Sequence, residues 1–560
     1  MTRYLVTSAL PYANGPIHFG HVTGAYLPAD VYVRTLRMQG ENVLYVCGGD
    51  EHGTAITINA EQEGVEYSEY VARWRDDIKR TFDRFGIHFD VWSGTSLCPE
   101  HKARSQDFFR TLDKNGYLLT RSSDQLYCVE DRMFLADRYI VGTCYFCGHV
   151  EARGNECPNC GQELEPLKMK TVACKICGTA PEKRATKHWY LDLPKLRDDG
   201  FGAWFSDHEW KPNVTGFIGN QLKSIEPRPI TRDMRWGVPL PSDTPGFEDG
   251  KVLYVWFDAP IGYVSFTEQW ARERGTPDEW KLWWQDRDTR LVHFIGKDNI
   301  PFHCLVFPAM LFGQKGKWIL PWHVPANEFY NLEGGKFSTS QNHTIPIDAF
   351  AEKYDVEAAR FYLLASAPET ADSDWKWDEF RACVNSGLAD VIGNLITRVL
   401  RFIDKNYGGV IPSLHAQHTE ELDRVILTEC GPIHDPGEDV RSFKFRRAAE
   451  NLLASARVAN VFVDRMAPWT LRKTDNEKAE SVLNTCCQYL AWLARWMAPF
   501  MPQKAQALWA MLGQSGRVSD QSWKSLPKSG SWRELHAGQK LGTVEGLFAK
   551  IDVPSDGKWL

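Results

Sequence analysis

Tyr4-Leu5-Val6 leads into the loop Leu10-Pro11-Tyr12-Ala13-Asn14-Gly15-Pro16, and then comes His18-Phe19-Gly20-His21. A short apolar run that stops in a Pro/Gly-rich loop reads as a buried strand leaving a sheet. Helical spacing takes over from about His21 to Met38, and Asn42-Val43-Leu44-Tyr45-Val46 is a second strand ending at Gly48-Gly49-Asp50. Strand, loop, helix and strand in that order begin a parallel α/β sheet. The loop also carries chemistry. Gly20 lets a phosphate or a flat base approach the backbone, and the helix behind it offers unpaired N–H groups and its positive end. His18 and His21 face the same spot, where each can donate a hydrogen bond as charge builds on a phosphate. Alone, His-x-Gly-His fits a metal pair or chance equally well.

Working outward, the α/β pattern occupies roughly 1–115 and resumes over 229–345, where Lys251 to Phe257 and Arg290 to Ile295 read as strands. Between them, 116–228 is rich in Cys, Gly and turns. Apolar residues at helical spacing, such as Ala358 to Leu364 and Leu452 to Met466, begin near 348. The expected division is a linking segment at 346–385, a helical bundle at 386–515 and a tail at 516–560 whose structure the sequence leaves open. A chain of 560 residues exceeds one ordinary core. With 43% hydrophobic and 24% charged residues it has the balance of a soluble protein. No apolar run is long enough to span a bilayer, and the N-terminus lacks a signal-peptide pattern, so a cytoplasmic location is expected. The net charge of −7 neither suggests nor excludes a nucleic-acid partner, which needs only a local basic surface. Arg398, Arg401 and Lys405, and Lys444, Arg446 and Arg447, are such local clusters; each also reads as a solvated helix face.

Of the 14 cysteines, Cys144-x2-Cys147-x9-Cys157-x2-Cys160 has the spacing of a closed tetrahedral zinc site, with Gly148 and Gly161 completing knuckle turns. Cys174-x2-Cys177-Gly178 repeats the turn without an obvious partner pair. Near the end of the second α/β stretch, Gly334-Gly335 precedes Lys336-Phe337-Ser338-Thr339-Ser340, a small polar loop with one cation and several hydroxyls. Such a loop can fold over a triphosphate, or be an ordinary surface turn.

Taken as a pair at opposite ends of one α/β region, His18–His21 and Lys336–Ser340 resemble the HIGH and KMSKS motifs of class I aminoacyl-tRNA synthetases. The flanking residues narrow the resemblance to the methionyl members. These are Ala9 to Gly15, Asp50-Glu51-His52-Gly53-Thr54, Trp256-Phe257-Asp258-Ala259-Pro260-Ile261-Gly262-Tyr263 and Gly296-Lys297-Asp298-Asn299, in the family's order from residue 1 to about 510. The resemblance implies a Rossmann-type catalytic domain with a zinc-knuckle insertion, followed by an all-α anticodon-binding bundle. It implies activation of L-methionine with ATP and Mg2+, then transfer to the 3′ end of tRNA(Met), by a chain expected to be a monomer.

Residue by residue, the resemblance assigns catalysis to His18, His21 and Lys336. It assigns ATP to Pro16, Gly20, Lys297, Asp298, Lys336, Ser338 and Ser340, with Asp298 on the ribose. Methionine falls to Ala9, Leu10, Tyr12, Trp256, Ala259, Pro260, Tyr263 and His303, with Asp50 on the α-ammonium; an apolar aromatic site suits a thioether, whose sulfur–ring contacts are individually weak. Asn394, Arg398 and Trp469 would read the anticodon, with stacking and edge hydrogen bonds as the means, and Asp374-Trp375 would touch the tRNA stem. Family members with two zinc ions take the second from an upstream Cys-x-x-Cys. Here that stretch reads Cys128-Val129-Glu130-Asp131, so Cys128, Asp131, Cys174 and Cys177 form either a Cys3Asp site or a knuckle that has lost its metal; Glu130 and His149 are the other candidate ligands. Thr339 stands where the family usually has a second lysine, leaving Lys297 and the histidines to share the phosphate charge.

Other readings fit less of the chain. Leucyl, isoleucyl and valyl enzymes need an editing domain larger than 116–228 allows. A cysteinyl enzyme would scatter its zinc ligands through the catalytic fold. A small nucleotidyltransferase needs no helical bundle, and a zinc-knuckle scaffold leaves Trp256–Tyr263 unexplained. Pocket chemistry also sets fidelity. Homocysteine lacks one methyl group of methionine, worth only about 1–3 kcal/mol in an apolar site. Homocysteine is therefore expected to be activated and then cyclised to its thiolactone within the synthetic site, with Asp258 as a helper; incubation with ATP and no tRNA should yield thiolactone together with AMP.

Overall fold

The computed structural model describes residues 2–136, 139–154, 157–162, 164–247, 249–316, 318–338, 343–523, 532–555 and 557–560. Its centre is a parallel sheet in the order Pro321–His323, Thr289–Gly296, Arg3–Ser8, Asn42–Gly49, Val91–Gly94, with Ala326–Asn327 pairing beside the end of Thr289–Gly296. From Arg3–Ser8 the sheet grows outward in both directions through helical connections, so both faces are covered and the inner strands are buried along nearly their whole length. The first crossover runs through the short turn Phe19–His21 and a widened turn at Val22–Tyr26 into the helix Leu27–Met38.

One sequence expectation is corrected. Lys251 to Phe257 is not a single strand: Lys251–Leu253 is extended, and a helix starts at Val255 and runs to Glu273. Trp256, Ala259, Pro260 and Tyr263 therefore lie on one helical face, at the i, i+3, i+4, i+7 spacing. The apolar, β-branched start of the run hid this change of period.

The insertion leaves the sheet as a long antiparallel ribbon, Leu118–Cys128 against Glu182–Leu191, in register from Leu118↔Leu191 to Tyr127↔Glu182. Its far end carries a small sheet of Ile140–Thr143, Ala152–Arg153 and Lys170–Cys174, around which the cysteine pairs cluster. Beyond the catalytic region, helices pack around Asn476–Met497, in which nearly every residue from Ala479 onward is buried. The tail belongs to this bundle. Trp532 is fully buried and donates to Asp423 at 3.0 Å, Lys540 bridges Val410, and Trp559 stacks on Trp377 at 5.4 Å. Among the described residues no helix is long and apolar enough to cross a membrane.

Sheet and bundle are joined by Arg360 on the helix Val356–Ala365. This guanidinium is 1% exposed and donates to Asp30 at 2.7 Å, to the Phe85 carbonyl at 2.6 Å and to the carbonyls of Pro499 and Phe500 at 3.0 Å each. Burial pushes the Asp30 carboxyl up, but Arg34 and Arg360 outweigh it and hold it below the usual range. Arg360→Met should lower stability by about 3 kcal/mol, because it strands a buried carboxylate and several carbonyls while leaving Arg34 in place; a reduced thermal midpoint with unchanged zinc content would be the readout.

Candidate active site

The first loop builds its own geometry. The Nδ1 of His18 accepts from the Gly20 N–H at 3.1 Å, and the Nδ1 of His21 accepts from the His18 N–H at 3.1 Å, a reciprocal cap on the helix start. Both imidazoles are thereby fixed as Nε2–H tautomers, so each aims one donor away from the backbone. Burial lowers His18 to about 3, helped by His21. The walls of the cleft lower His21 to about 4 against the opposing charge of Asp298, even though its ring faces the open mouth. Gly20 is required here. A Cβ would sit 2.9 Å from the His18 ring and 3.1 Å from the Tyr330 carbonyl.

These residues line a cleft of about 260 Å³ together with Ala9, Asp298, Asn299, Lys336 and Phe337. Phe337 stacks on His18 at 4.8 Å, and Lys336 lies 5.5 Å from the Phe329 ring. Lys297 stands to one side. Its ammonium bonds Glu328 and Asp372 at 2.8 Å each, so its charge is answered inside the protein. Pro16 is exposed and outside the lining, and Ser338 forms a two-way backbone pair with His343 beyond it. Ser340 and Thr339 lie outside the described residues.

A second cavity of about 100 Å³ adjoins the cleft. Leu10, Asp50, Trp256, Ala259, Pro260, Tyr263 and His303 line it, with Val255, Asn299 and Phe302, which sequence reasoning did not place there. Asn299 was within reach, since it closes the quoted Gly296–Asn299 motif; Phe302 becomes a candidate only when its ring is seen against Trp256 at 4.7 Å. Ala9 falls on the cleft side instead, and Tyr12 stands outside the lining, 36% exposed and bridged to Asp50. At the floor, Tyr263 donates to His303 Nε2 at 2.8 Å, while His303 Nδ1 faces the Asn299 carbonyl at 3.2 Å. Burial lowers His303 to about 4, so this is a neutral, oriented wall. Asp50 is the acidic group. Its Oδ1 is buried with no hydrogen-bond partner among the described residues, and burial, then the charge of Asp258, push its carboxyl well above the usual range.

The cysteines meet as the spacing predicts. Cys144, Cys147, Cys157 and Cys160 bring their sulfurs together, with Cys144–Cys160 at 3.9 Å and Cys147–Cys157 at 3.6 Å. Four thiolates on a tetrahedral zinc stand about 3.8 Å apart. The Asp131 carboxylate lies 3.1 Å from both Cys128 and Cys174, and Cys128 lies 3.4 Å from Cys177. The Asp131 N–H points to the Cys128 sulfur at 3.4 Å, as Ile176 does to Cys174, so Cys128–Asp131 keeps a knuckle-like turn. Both clusters could hold a metal.

A family profile described as "tRNA synthetases class I (M)" matches residues 4–400, and one for the "anticodon binding domain of methionyl tRNA ligase" matches 425–560. The chain belongs to the methionyl class I aminoacyl-tRNA synthetases. It is 44% identical to the methionine–tRNA ligase of Rubrobacter xylanophilus, covering 97% of this chain and 95% of that protein. Against the Parabacteroides distasonis enzyme it is 43% identical, covering 98% and 79% respectively. A solved Mycobacterium tuberculosis methionyl-tRNA synthetase in complex with methionyl-adenylate shares the fold, with a TM-score of 0.76 at 23% identity over 98% of this chain and 100% of that one.

In the bundle of this synthetase, Asn394 and Arg398 lie on the helix Asn394–Asn406, and Trp469 follows Pro468 at the start of Pro468–Thr474. Arg398 lies 5.0 Å from the Trp469 ring centroid, and Asp464 holds it at 2.6 Å. The ring is 38% exposed, so a guanidinium and an indole together present a flat face to solvent.

Proposed function

We propose that this chain activates methionine with ATP and transfers it to tRNA(Met). The observation that carries the reading is the position of Asn299, which lines both the His18–His21 cleft and the Asp50–Trp256 cavity. An amino acid seated with its thioether against Trp256, Tyr263 and His303 and its ammonium toward Asp50 sends its carboxylate toward the cleft. There it attacks the α-phosphate of ATP in line, and pyrophosphate leaves. The Nε2–H groups of His18 and His21 donate to the phosphate oxygens as charge accumulates, and Lys336 supplies the mobile cation; no covalent enzyme intermediate is needed. A ribose hydroxyl at the tRNA 3′ end then attacks the acyl carbon and AMP leaves. Arg398, Trp469 and Asn394 read unpaired anticodon bases by stacking and edge contacts.

Zinc suits the cysteine clusters and would stiffen the insertion rather than enter the reaction. Cys144, Cys147, Cys157 and Cys160 would hold one ion, and Cys128, Asp131, Cys174 and Cys177 a second. Mg2+ accompanies ATP.

His21→Ala should slow methionine-dependent ATP–pyrophosphate exchange by about 10²–10³-fold with little change in methionine affinity, as for one lost oxyanion donor. Because His18 and His21 titrate at about 3 and 4, both stay neutral as the pH falls through the ordinary histidine range. Neither should add a limb to the pH profile near neutrality, and a rate that follows a group near pH 6.5 in the native enzyme but not in His21→Ala would contradict this. Elemental analysis of never-chelated protein should find close to two zinc ions per chain, and Asp131→Ala should remove one of them. A native value near one would confine metal to the four-cysteine cluster.

A further inference from the structure

Behind the second cavity lies a carboxylate that the steps above do not use. Asp258 precedes Ala259 on the pocket helix and is fully buried. Its Oδ2 receives His52 Nδ1 at 2.5 Å and faces His101 Nε2 at 3.4 Å, while Oδ1 is buried with no hydrogen-bond partner among the described residues. His101 Nδ1 meets the Ser265 hydroxyl at 2.9 Å. With its proton on Nε2, His101 donates to Asp258 alongside the Nδ1–H of His52. Burial pushes Asp258 up, yet His52 and then His101 more than reverse this and hold its carboxyl below the usual range. An anion is thus kept in the interior with no lysine or arginine bonded to it among the described residues, an arrangement that apolar packing alone would not favour.

His52 links this anion to the cavity. Its backbone N–H donates to the Asp50 carboxylate, and its ring holds Asp258. Two buried carboxylates, each with one unpartnered oxygen, therefore flank one histidine. The donor atoms of His52, His101 and Asp258 lie within 4.8 Å of one another, but both rings address the same oxygen at hydrogen-bond geometry, which describes a bonded triad better than a cation cage.

We propose that Asp258, held by His52 and His101, is a positioning residue for the α-ammonium of methionine, fixing Asp50 through His52 and placing a second negative charge behind it. This rests on methionine being the occupant of the Asp50 cavity. It also makes binding sensitive to pH. The groups facing the two carboxylates are His52 and Glu51 on the segment after the second strand, His101 on Pro99–Lys114, and Tyr263 on the pocket helix. The charge of Glu51 is already met by Arg75 at 2.7 Å. Asp50 carries a raised pKa, so its charged, ammonium-binding form is lost first as the pH falls, and the charge of Asp258 moves that loss to higher pH.

The test is steady-state ATP–pyrophosphate exchange across pH with Asp258→Asn, His52→Asn and His52→Ala. His52→Asn places an amide N–H where Nδ1–H was; His52→Ala removes the donor. Asp258→Asn should raise the methionine KM about tenfold, as expected for losing one screened charge behind Asp50 together with the hold of His52. The ATP KM and kcat should stay within about twofold, as expected when ground-state and transition-state binding are weakened equally. The acid limb of kcat/KM for methionine should move to lower pH, because Asp50 loses its repelling neighbour. His52→Ala should follow Asp258→Asn in KM, and His52→Asn should remain near the native value. An unmoved acid limb, or ATP affinity and kcat falling as far as methionine affinity, would reduce Asp258 to a packing role and overturn the proposal. Native enzyme with no methionine-dependent exchange would instead overturn the substrate reading, and this proposal with it.

Discussion

Arg360 donates to oxygens from separated stretches of chain: Asp30 on the first crossover helix, the Phe85 carbonyl after the next helices, and the carbonyls of Pro499 and Phe500 at the end of the central bundle helix. A guanidinium can occupy that position only if every donor finds an acceptor, because a buried charge left unpaired costs more than the pairing returns. The joint is therefore all-or-none. The same helix uses the Glu357 carboxylate to accept the N–H groups of Gln503 and Lys504 at the start of the following bundle helix. One helix thus registers the bundle against the helix that begins at the His18–His21 loop, so that anticodon contacts and adenylate chemistry belong to one connected body.

Charge placement within the catalytic half follows from burial. His18, His21 and His303 are neutral because the protein around them disfavours imidazolium, and neutrality suits them, since an Nε2–H donor costs no proton uptake when phosphate charge develops. Asp50 and Asp258 part ways: burial and the charge of Asp258 push Asp50 toward its neutral form, whereas His52 and His101 hold Asp258 as an anion. Neutral His18 and His21 thus line the cleft, and the Asp50 carboxyl lines the adjoining cavity with Asp258 behind it.

The parallel sheet was legible because Tyr4 to Val6 and Asn42 to Val46 are apolar runs ending in glycine or proline, and the cysteine sites because ligand spacing is local. Where the pattern failed, the cause was identifiable. Lys251 to Phe257 looks like a strand because Val252, Leu253, Tyr254 and Val255 favour one, yet helical period begins at Val255. The tail gave no period at all, since Trp532 and Trp559 act as single anchors and not as members of a stripe. Asp258 and His101 could not be paired from sequence. Their contact spans 157 positions and depends on how two helices cross.

The cation inventory at the cleft is the least expected feature of the site. A loop with Thr339 in place of lysine invites the assumption that Lys297 takes up the triphosphate charge, but Lys297 is already bonded to Glu328 and Asp372. Asp372 also accepts the Phe329 N–H at 3.0 Å, each residue standing immediately before its strand in the pair Tyr330–Leu332 with Ser373–Trp375. Freeing Lys297 for phosphate would leave Glu328 and Asp372 without their partner at the edge of the same cleft, so its net gain in binding an anion is smaller than its formal charge suggests. Lys336 is less committed: its ammonium lies 5.5 Å from the Phe329 ring, and its charge reaches Asp372 only at longer range than the bonded Lys297. The Nε2–H groups of His18 and His21 and the Lys336 ammonium are thus less committed at the cleft than Lys297, which ties the strand carrying Asp374 to the wall of the cleft.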